Sequence, residues 1–240
     1  MSSIRIKIVL CFVVANILLA TIVWTMWLNK TNTPPQIHGV LLAKGKDLSE
    51  FSLLDHHSQQ FRNRDLLGHW HLVSYGFTHC PDVCPATLSI LAGVTDQLAS
   101  DGREPLKILF YTVDHRRDTA AKLASYLPFF DSDFLGLTHI DSAKNSHLPF
   151  ENGLGIFAKL TSLGETTDGQ YTNTYEVSHG VTLFLLNPQG QLQAIFEPGE
   201  NQYGAKVFDS QTIASDYLKI RRYLDQPKLA GISLNSDSAP

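Results

Sequence analysis

Hydrophobic and polar positions in this chain change period several times. From Ile8 to Leu28, 21 residues pass without a charge. As a helix that run spans roughly 30 Å at about 1.5 Å per residue, enough to cross a bilayer. Thr31 to Ile37, with Pro34-Pro35, reads as an extended linker. Phe51, Leu53 and Phe61 around the polar Asp55-His56-His57-Ser58 predict a short hairpin. The stretch from Leu66 to Phe77 holds a long strand with Trp70 and Leu72 in the core. After Pro85, Leu88, Leu91 and Leu98 recur at helical spacing until Asp101-Gly102. Leu106 to Val113 reads as a buried parallel strand, and Asp118 or Thr119 caps a helix through Tyr126.

Ile156 to Tyr175, with Gly164 and Gly169, predicts an inserted hairpin. Val181 to Leu186 and Gln191 to Phe196 flank Asn187-Pro188-Gln189-Gly190, a β-turn between antiparallel strands. Ile213, Tyr217, Ile220 and Leu224 mark a last helix, capped by Asp209 or Ser210 and carrying Arg221-Arg222 near its end. This alternation predicts an α/β, thioredoxin-like fold with an inserted β-hairpin and an N-terminal transmembrane helix. The expected division is a cytoplasmic tail over 1–7, an anchor over 8–28, a linker over 29–45, the domain over 46–224 and a flexible tail over 225–240.

An uncleaved anchor fits the apolar run better than a signal peptide, whose apolar core is about 7–15 residues and ends at an A-x-A-like site. Arg5 and Lys7 precede the span, and only Lys30 follows closely, so the N-terminus is expected inside. The domain then faces the periplasm or an equivalent oxidising space, with Trp24 and Trp27 at the interface. Cys11, within the span, is an apolar filler. The formal net charge of −4, without a basic run, argues against a nucleic-acid partner.

Candidate chemistry gathers in Cys80-Pro81-Asp82-Val83-Cys84-Pro85, between the predicted strand and the helix starting near Pro85. A helix N-terminus lowers a thiol pKa and makes it reactive. The two cysteines are spaced as C-x-x-x-C, not as the C-x-x-C of dithiol exchange. Residues four apart share a helix face, so two sulfurs could grip one ion. Thiolates favour Cu(I), and an added imidazole keeps Cu(II) accessible. Structural zinc wants four ligands, usually from two clusters, and the sequence offers no second one. A plain disulfide or a pair of buried thiols stays open as the alternative. Among ten histidines, His179 immediately precedes the strand Val181 to Leu186 and is a candidate third ligand, although its position alone favours an ordinary loop histidine.

The segment Tyr75-Gly76-Phe77-Thr78-His79-Cys80-Pro81-Asp82-Val83-Cys84-Pro85 resembles the signature of the SCO/SenC family, membrane-anchored copper proteins of the respiratory chain. Phe51-Ser52-Leu53, Asp65-Leu66-Leu67-Gly68, Thr112-Val113-Asp114, Arg117-Asp118-Thr119, Gly136-Leu137-Thr138 and Leu186-Asn187-Pro188-Gln189-Gly190 follow the family's order. The resemblance implies copper ligation by Cys80, Cys84 and His179 and delivery to the dinuclear copper centre of cytochrome c oxidase or a similar copper protein. The location implied is the inner membrane, single-pass, through residues 8–28. It is not a classical enzyme's pattern. The alternative is a thiol-disulfide reductase using Cys80 and Cys84 as a redox pair with a reversible disulfide. A peroxiredoxin is set aside, because P-x-x-x-T-x-x-C is absent before Cys80.

Two departures stand out. The family's Asp-His-Ser is Ser178-His179-Gly180 here, which removes a carboxylate beside the imidazole. A family proline is replaced by His115, read as a rim histidine with auxiliary ligation as the alternative. His79 is read as structural or as support behind the ligands, and Asp82 as a cap for the following helix. His56, His57, His69, His71, His139 and His147 carry no spacing that demands a metal, so surface or packing roles are expected.

Overall fold

The computed structural model describes residues 2–30, 33–100, 106–162, 175–200, 204 and 206–225. The chain falls into two compact units, one formed by 37–217 and the other by 1–36 with 218–240. In the smaller unit, α1 (Ser2–Lys30) is one continuous helix. It extends beyond both ends of the expected span, so residues 2–7 of the expected tail are helical as well. Within it Ile4–Thr25 is long and apolar enough to cross a membrane. Trp24 is exposed, as are the aliphatic side chains before it; the side chain of Trp27 lies outside the described residues.

The larger unit begins with strands β1 (Gly39–Lys46), β2 (Ser52–Asp55), β3 (Gln60–Arg62) and β4 (His71–Gly76), followed by α2 (Val83–Ala99). Next come β5 (Lys107–Thr112), α3 (Ala120–Tyr126), β6 (Leu135–Thr138), α4 (Leu148–Leu154), β7 (Ala158–Ser162) and β8 (Tyr175–His179). The last elements are β9 (Leu183–Leu186), β10 (Leu192–Phe196), β11 (Gly199–Glu200), β12 (Lys206–Val207) and α5 (Ser210–Leu224), whose residues from Leu218 on belong to the smaller unit. One mixed sheet has the order β1-β10-β9-β4-β5-β6-β2-β3. Its centre is β4, parallel to β5 and antiparallel to β9. Every residue of β4 is buried, including the polar His71 and Ser74, as its place between β5 and β9 requires.

The sheet starts earlier than expected. Gly39 to Lys46, placed by the sequence reading mostly in a linker, pairs antiparallel with β10. This edge strand is half exposed, and Lys44, Gly45 and Lys46 break its alternation, so its periodicity is weak. The hairpin after Ile156 is β7 paired with β8, and Ala158 faces His179 across the ladder. Its connection, 163–174, lies outside the described residues, as do Asp101-Gly102 and the expected tail beyond Asp225.

Two helix starts meet their capping expectations. Thr119 accepts the backbone N–H of Lys122, and Asp209 accepts that of Thr212 at 2.8 Å. The 187–190 turn closes through Gly190 N–H to Asn187 O at 2.8 Å, with Gly190 at φ 75°, a conformation that suits glycine. The buried stripe of α2 runs through Cys84, Leu88, Leu91 and Leu98, seating the helix with Cys84 on its inner face.

Candidate metal centre

Cys84 and Cys80 occupy different local structures. Cys84 is the second residue of α2 and 4% exposed. Cys80 lies before the helix, in a turn closed by its own N–H donating to Phe77 O at 3.2 Å. The expected shared helix face is therefore not what unites them. Instead the backbone N–H of Cys84 donates to Cys80 Sγ at 3.4 Å, so a free donor of the helix N-terminus caps that sulfur.

Expectation and structure also part on acidity. A helix N-terminus alone would lower the Cys84 thiol, but burial pushes it up to about 12 against a backbone hydrogen bond from Phe77. Apo Cys84 is thus a protonated thiol at neutral pH. Asp82 occupies the N-cap position of α2 but makes no side-chain cap bond.

His179 reaches this pair from the far hairpin, as the last residue of β8 rather than as part of a loop. Its Nδ1 lies 2.7 Å from Gly180 O, and a carbonyl oxygen only accepts, so Nδ1 carries the proton. In the neutral ring Nε2 then holds a lone pair, and Nε2 lies 3.7 Å from Cys84 Sγ. The Gly180 carbonyl thus orients the ring. The ring is walled by Tyr75 at 5.5 Å and Phe77 at 5.7 Å between centroids. A Cβ at Gly180 would come within 2.8 Å of the Tyr75 hydroxyl, so the glycine lets this wall close.

The sulfur-to-nitrogen separation tests whether an ion fits. With a metal–sulfur bond of about 2.3 Å and a metal–nitrogen bond of about 2.05 Å, the two donors stand about 3.6 Å apart at a tetrahedral angle and about 3.8 Å apart at 120°. The observed 3.7 Å lies between. The cavity beside Cys84, Thr87 and His179 is about 10 Å³, room for an atom-sized guest and not for a substrate molecule. A larger cavity of about 670 Å³, lined by Phe51, Arg62, Asn63 and Ser146 among others, contains no cysteine or histidine.

Asp118 holds the cysteine turn in place, a role the sequence reading missed by treating it only as a helix cap. Fully buried, it accepts the Thr78 N–H at 2.7 Å, the Thr78 hydroxyl at 2.6 Å and the Thr112 hydroxyl at 2.8 Å. His79 stands beside it, with Nδ1 at 3.8 Å from the carboxylate. Gly76 matters for a different reason: a Cβ there would lie 2.6 Å from Cys84 Sγ. His115 does not join the cysteines; its ring stacks on His139. Arg117, paired with Asp114, lies over the rings of Phe77 and Tyr175.

Residues 43–207 match the family described as SCO1/SenC. A protein of Stutzerimonas stutzeri named for copper binding is 34% identical over 160 residues, covering 66% of this chain and 72% of that one. The mitochondrial SCO2 homolog of Danio rerio is 37% identical over 157 residues, 65% of this chain, and the chain spans about half (51%) of its length. A crystal structure of Arabidopsis thaliana ScoI with copper bound superposes with a TM-score of 0.59 at 25% identity, covering 73% of this chain and 98% of that one. The fold is thioredoxin-like, as the alternation of strands and helices implies.

Proposed function

The chain belongs to the SCO1/SenC family, and from that premise we propose that it is a membrane-anchored copper chaperone. Cys80, Cys84 and His179 hold one copper ion and pass it by ligand exchange to the dinuclear copper centre of cytochrome c oxidase or a similar copper protein. The observation that carries this reading is the His179 Nε2 lone pair, fixed by the Nδ1 bond to Gly180 O and standing 3.7 Å from Cys84 Sγ. Two thiolates and one imidazole suit both copper oxidation states, and three ligands leave a position open to an incoming ligand. The uncharged run 8–28, which lies within α1, serves as the anchor. The charges of Arg5 and Lys7 favour a domain facing the periplasm or an equivalent space.

A second reading, thiol-disulfide reduction, draws on the contrast between the cysteines. Cys80 is the more accessible and has the Cys84 N–H on its sulfur. Its thiolate would attack a partner disulfide, releasing one partner thiolate and forming a mixed disulfide. Cys84 would then close the intramolecular disulfide and release the second thiolate, so two electrons reach the partner. The buried, high-pKa Cys84 thiol disfavours this closing step.

The deciding experiment uses the reduced full chain in detergent. Wild type binds one copper ion, and His179→Ala loses the Cu(II) form with its sulfur-to-copper charge-transfer band. An unchanged spectrum in that variant sinks the ligand assignment. Mixing copper-loaded and apo protein separately with an oxidase copper-site fragment distinguishes the two readings. Metal transfer supports the chaperone, and thiol transfer without metal supports the reductase.

A further inference from the structure

A second group of metal-binding side chains lies outside the cysteine site. His115 follows β5, His139 follows β6, His147 immediately precedes α4, and Glu151 lies in the first turn of that helix. The parallel strands β5 and β6 thus end near one helix start. His147 and Glu151 are one turn apart, with the Glu151 N–H donating to His147 O at 3.2 Å.

The imidazoles form a stack. His139 and His147 are 3.6 Å apart between centroids at 14°, and His115 and His139 are 4.0 Å apart at 15°. Possible ligand atoms of His139, His147 and Glu151 all lie within 4.8 Å of one another. Tyr111 Oη donates to Glu151 Oε1 at 2.6 Å and meets His139 Nε2 at 2.7 Å. Its bond to Oε1 orients the carboxylate while leaving Oε2 available. His115 Nδ1 is buried with no hydrogen-bond partner.

Three cationic imidazoles could not pack this closely. Burial, followed by the neighbouring His139, pushes His115 and His147 below their ordinary range. For Glu151, burial opposes ionisation, but hydrogen bonds from His139 and Tyr111 and the nearby imidazoles outweigh it and lower its pKa. Two imidazoles and one carboxylate form a donor set used for zinc with an open position, and imidazole also suits Cu(II). No thiolate is present in this group to favour Cu(I).

We propose that His139, His147 and Glu151 form a second site for one borderline divalent transition-metal ion, Cu(II) or Zn(II), with His115 as a further available ligand. The donors converge from within 4.8 Å to the about 3.4 Å that bonds of about 2.1 Å require. Ligation requires the His139 and His147 rings, now stacked at 3.6 Å and 14°, to turn out of their parallel arrangement so that both in-plane lone pairs meet one ion. The site is independent of Cys80, Cys84 and His179, so it stands or falls separately from the proposed chaperone centre.

The test uses the full chain in detergent with Cys80→Ser, Cys84→Ser and His179→Ala combined, titrated separately with Cu(II) and Zn(II). One equivalent of at least one ion binds, and bound Cu(II) shows nitrogen hyperfine coupling by electron paramagnetic resonance. Adding His147→Asn or Glu151→Gln to this background weakens binding by about tenfold or more, whereas His69→Asn leaves it unchanged. Melting curves without metal establish which variants fold, and the metal-dependent rise in melting temperature of the parent supplies a second readout. Absence of stoichiometric binding by the parent overturns the proposal. Equal affinity in a folded His147→Asn or Glu151→Gln variant also overturns it.

Discussion

Substituting Gly76 by alanine isolates the contact that seats the Cys84 sulfur. Gly76 ends β4, opposite Thr112 in the parallel ladder, and its backbone is not in the left-handed region. The change therefore adds a methyl group without backbone strain. That methyl would lie 2.6 Å from Cys84 Sγ but at an ordinary 3.5 Å from Cys84 Cβ. Comfortable separation needs about 3.5–4.0 Å, so the sulfur must retreat by about 1 Å. Metal–ligand distances tolerate about 0.2 Å, so the sulfur would leave bonding range of an ion held by His179.

Overpacking of this kind costs about 1–3 kcal/mol. If the cost falls on the bound geometry, copper affinity drops by about 5- to 150-fold. If it falls on the fold, melting drops by about 2–4 °C per kcal/mol. Competition with a Cu(I) chelator measures the first effect and thermal melting of the apo protein the second. In Gly76→Ala/Cys84→Ala the sulfur is gone, so the methyl group adds much less destabilisation than in the single variant. Wild-type melting and copper affinity in Gly76→Ala would refute the reasoning, as would additive stability losses in the double variant.

Two other perturbations address the surroundings of the same sulfur. The Cys84 thiol, pushed up to about 12 by burial, stays protonated through neutral pH and must lose its proton to ligate copper. Apparent affinity therefore rises with pH, by about tenfold or more per unit between about pH 6 and 9; titrations with a pH-independent competitor read the slope, and a flat profile contradicts the assignment. Asp118→Asn replaces an acceptor of three donor groups, Thr78 N–H and the hydroxyls of Thr78 and Thr112, by a group with one acceptor oxygen and a donor of its own. The expected loss is about 1–3 kcal/mol of stability with faster copper release, and unchanged melting counts against the anchoring role.

Much of the frame was legible because its buried strands and amphipathic helices leave strong periodic patterns. The run from His71 to Gly76 and the stripe from Cys84 to Leu98 are examples. β1 escaped notice because an edge strand buries little, so Lys and Gly interrupt its pattern without harm. At the centre, the cysteine spacing announced a pair but not its geometry: Cys80 lies in a turn, whereas Cys84 begins the buried face of α2. The desolvation that raises Cys84 depends on strands distant in sequence, and no local motif records it. The His139, His147 and Glu151 group was invisible for a similar reason. The pairing of β5 with β6 brings His115, at the end of one strand, beside His139, at the end of the other.

The burial of Cys84 bears on whether the pair carries copper or electrons. At neutral pH, a thiol with a pKa of about 12 is ionised to about one part in 10⁵. Disulfide exchange through Cys84 must draw on that small thiolate population, and no metal charge offsets its desolvation. In the proposed site an arriving copper ion would supply that charge, and deprotonation and ligation would form one linked equilibrium. His179 strengthens the asymmetry: its lone pair faces the same sulfur, while Gly180 O retains the proton on the opposite ring nitrogen. The neutral imidazole is oriented as a ligand, and taking a proton at Nε2 would remove that lone pair. The arrangement therefore opposes rapid thiol exchange and favours an ion that can displace the Cys84 proton, giving copper the stronger claim on this pair.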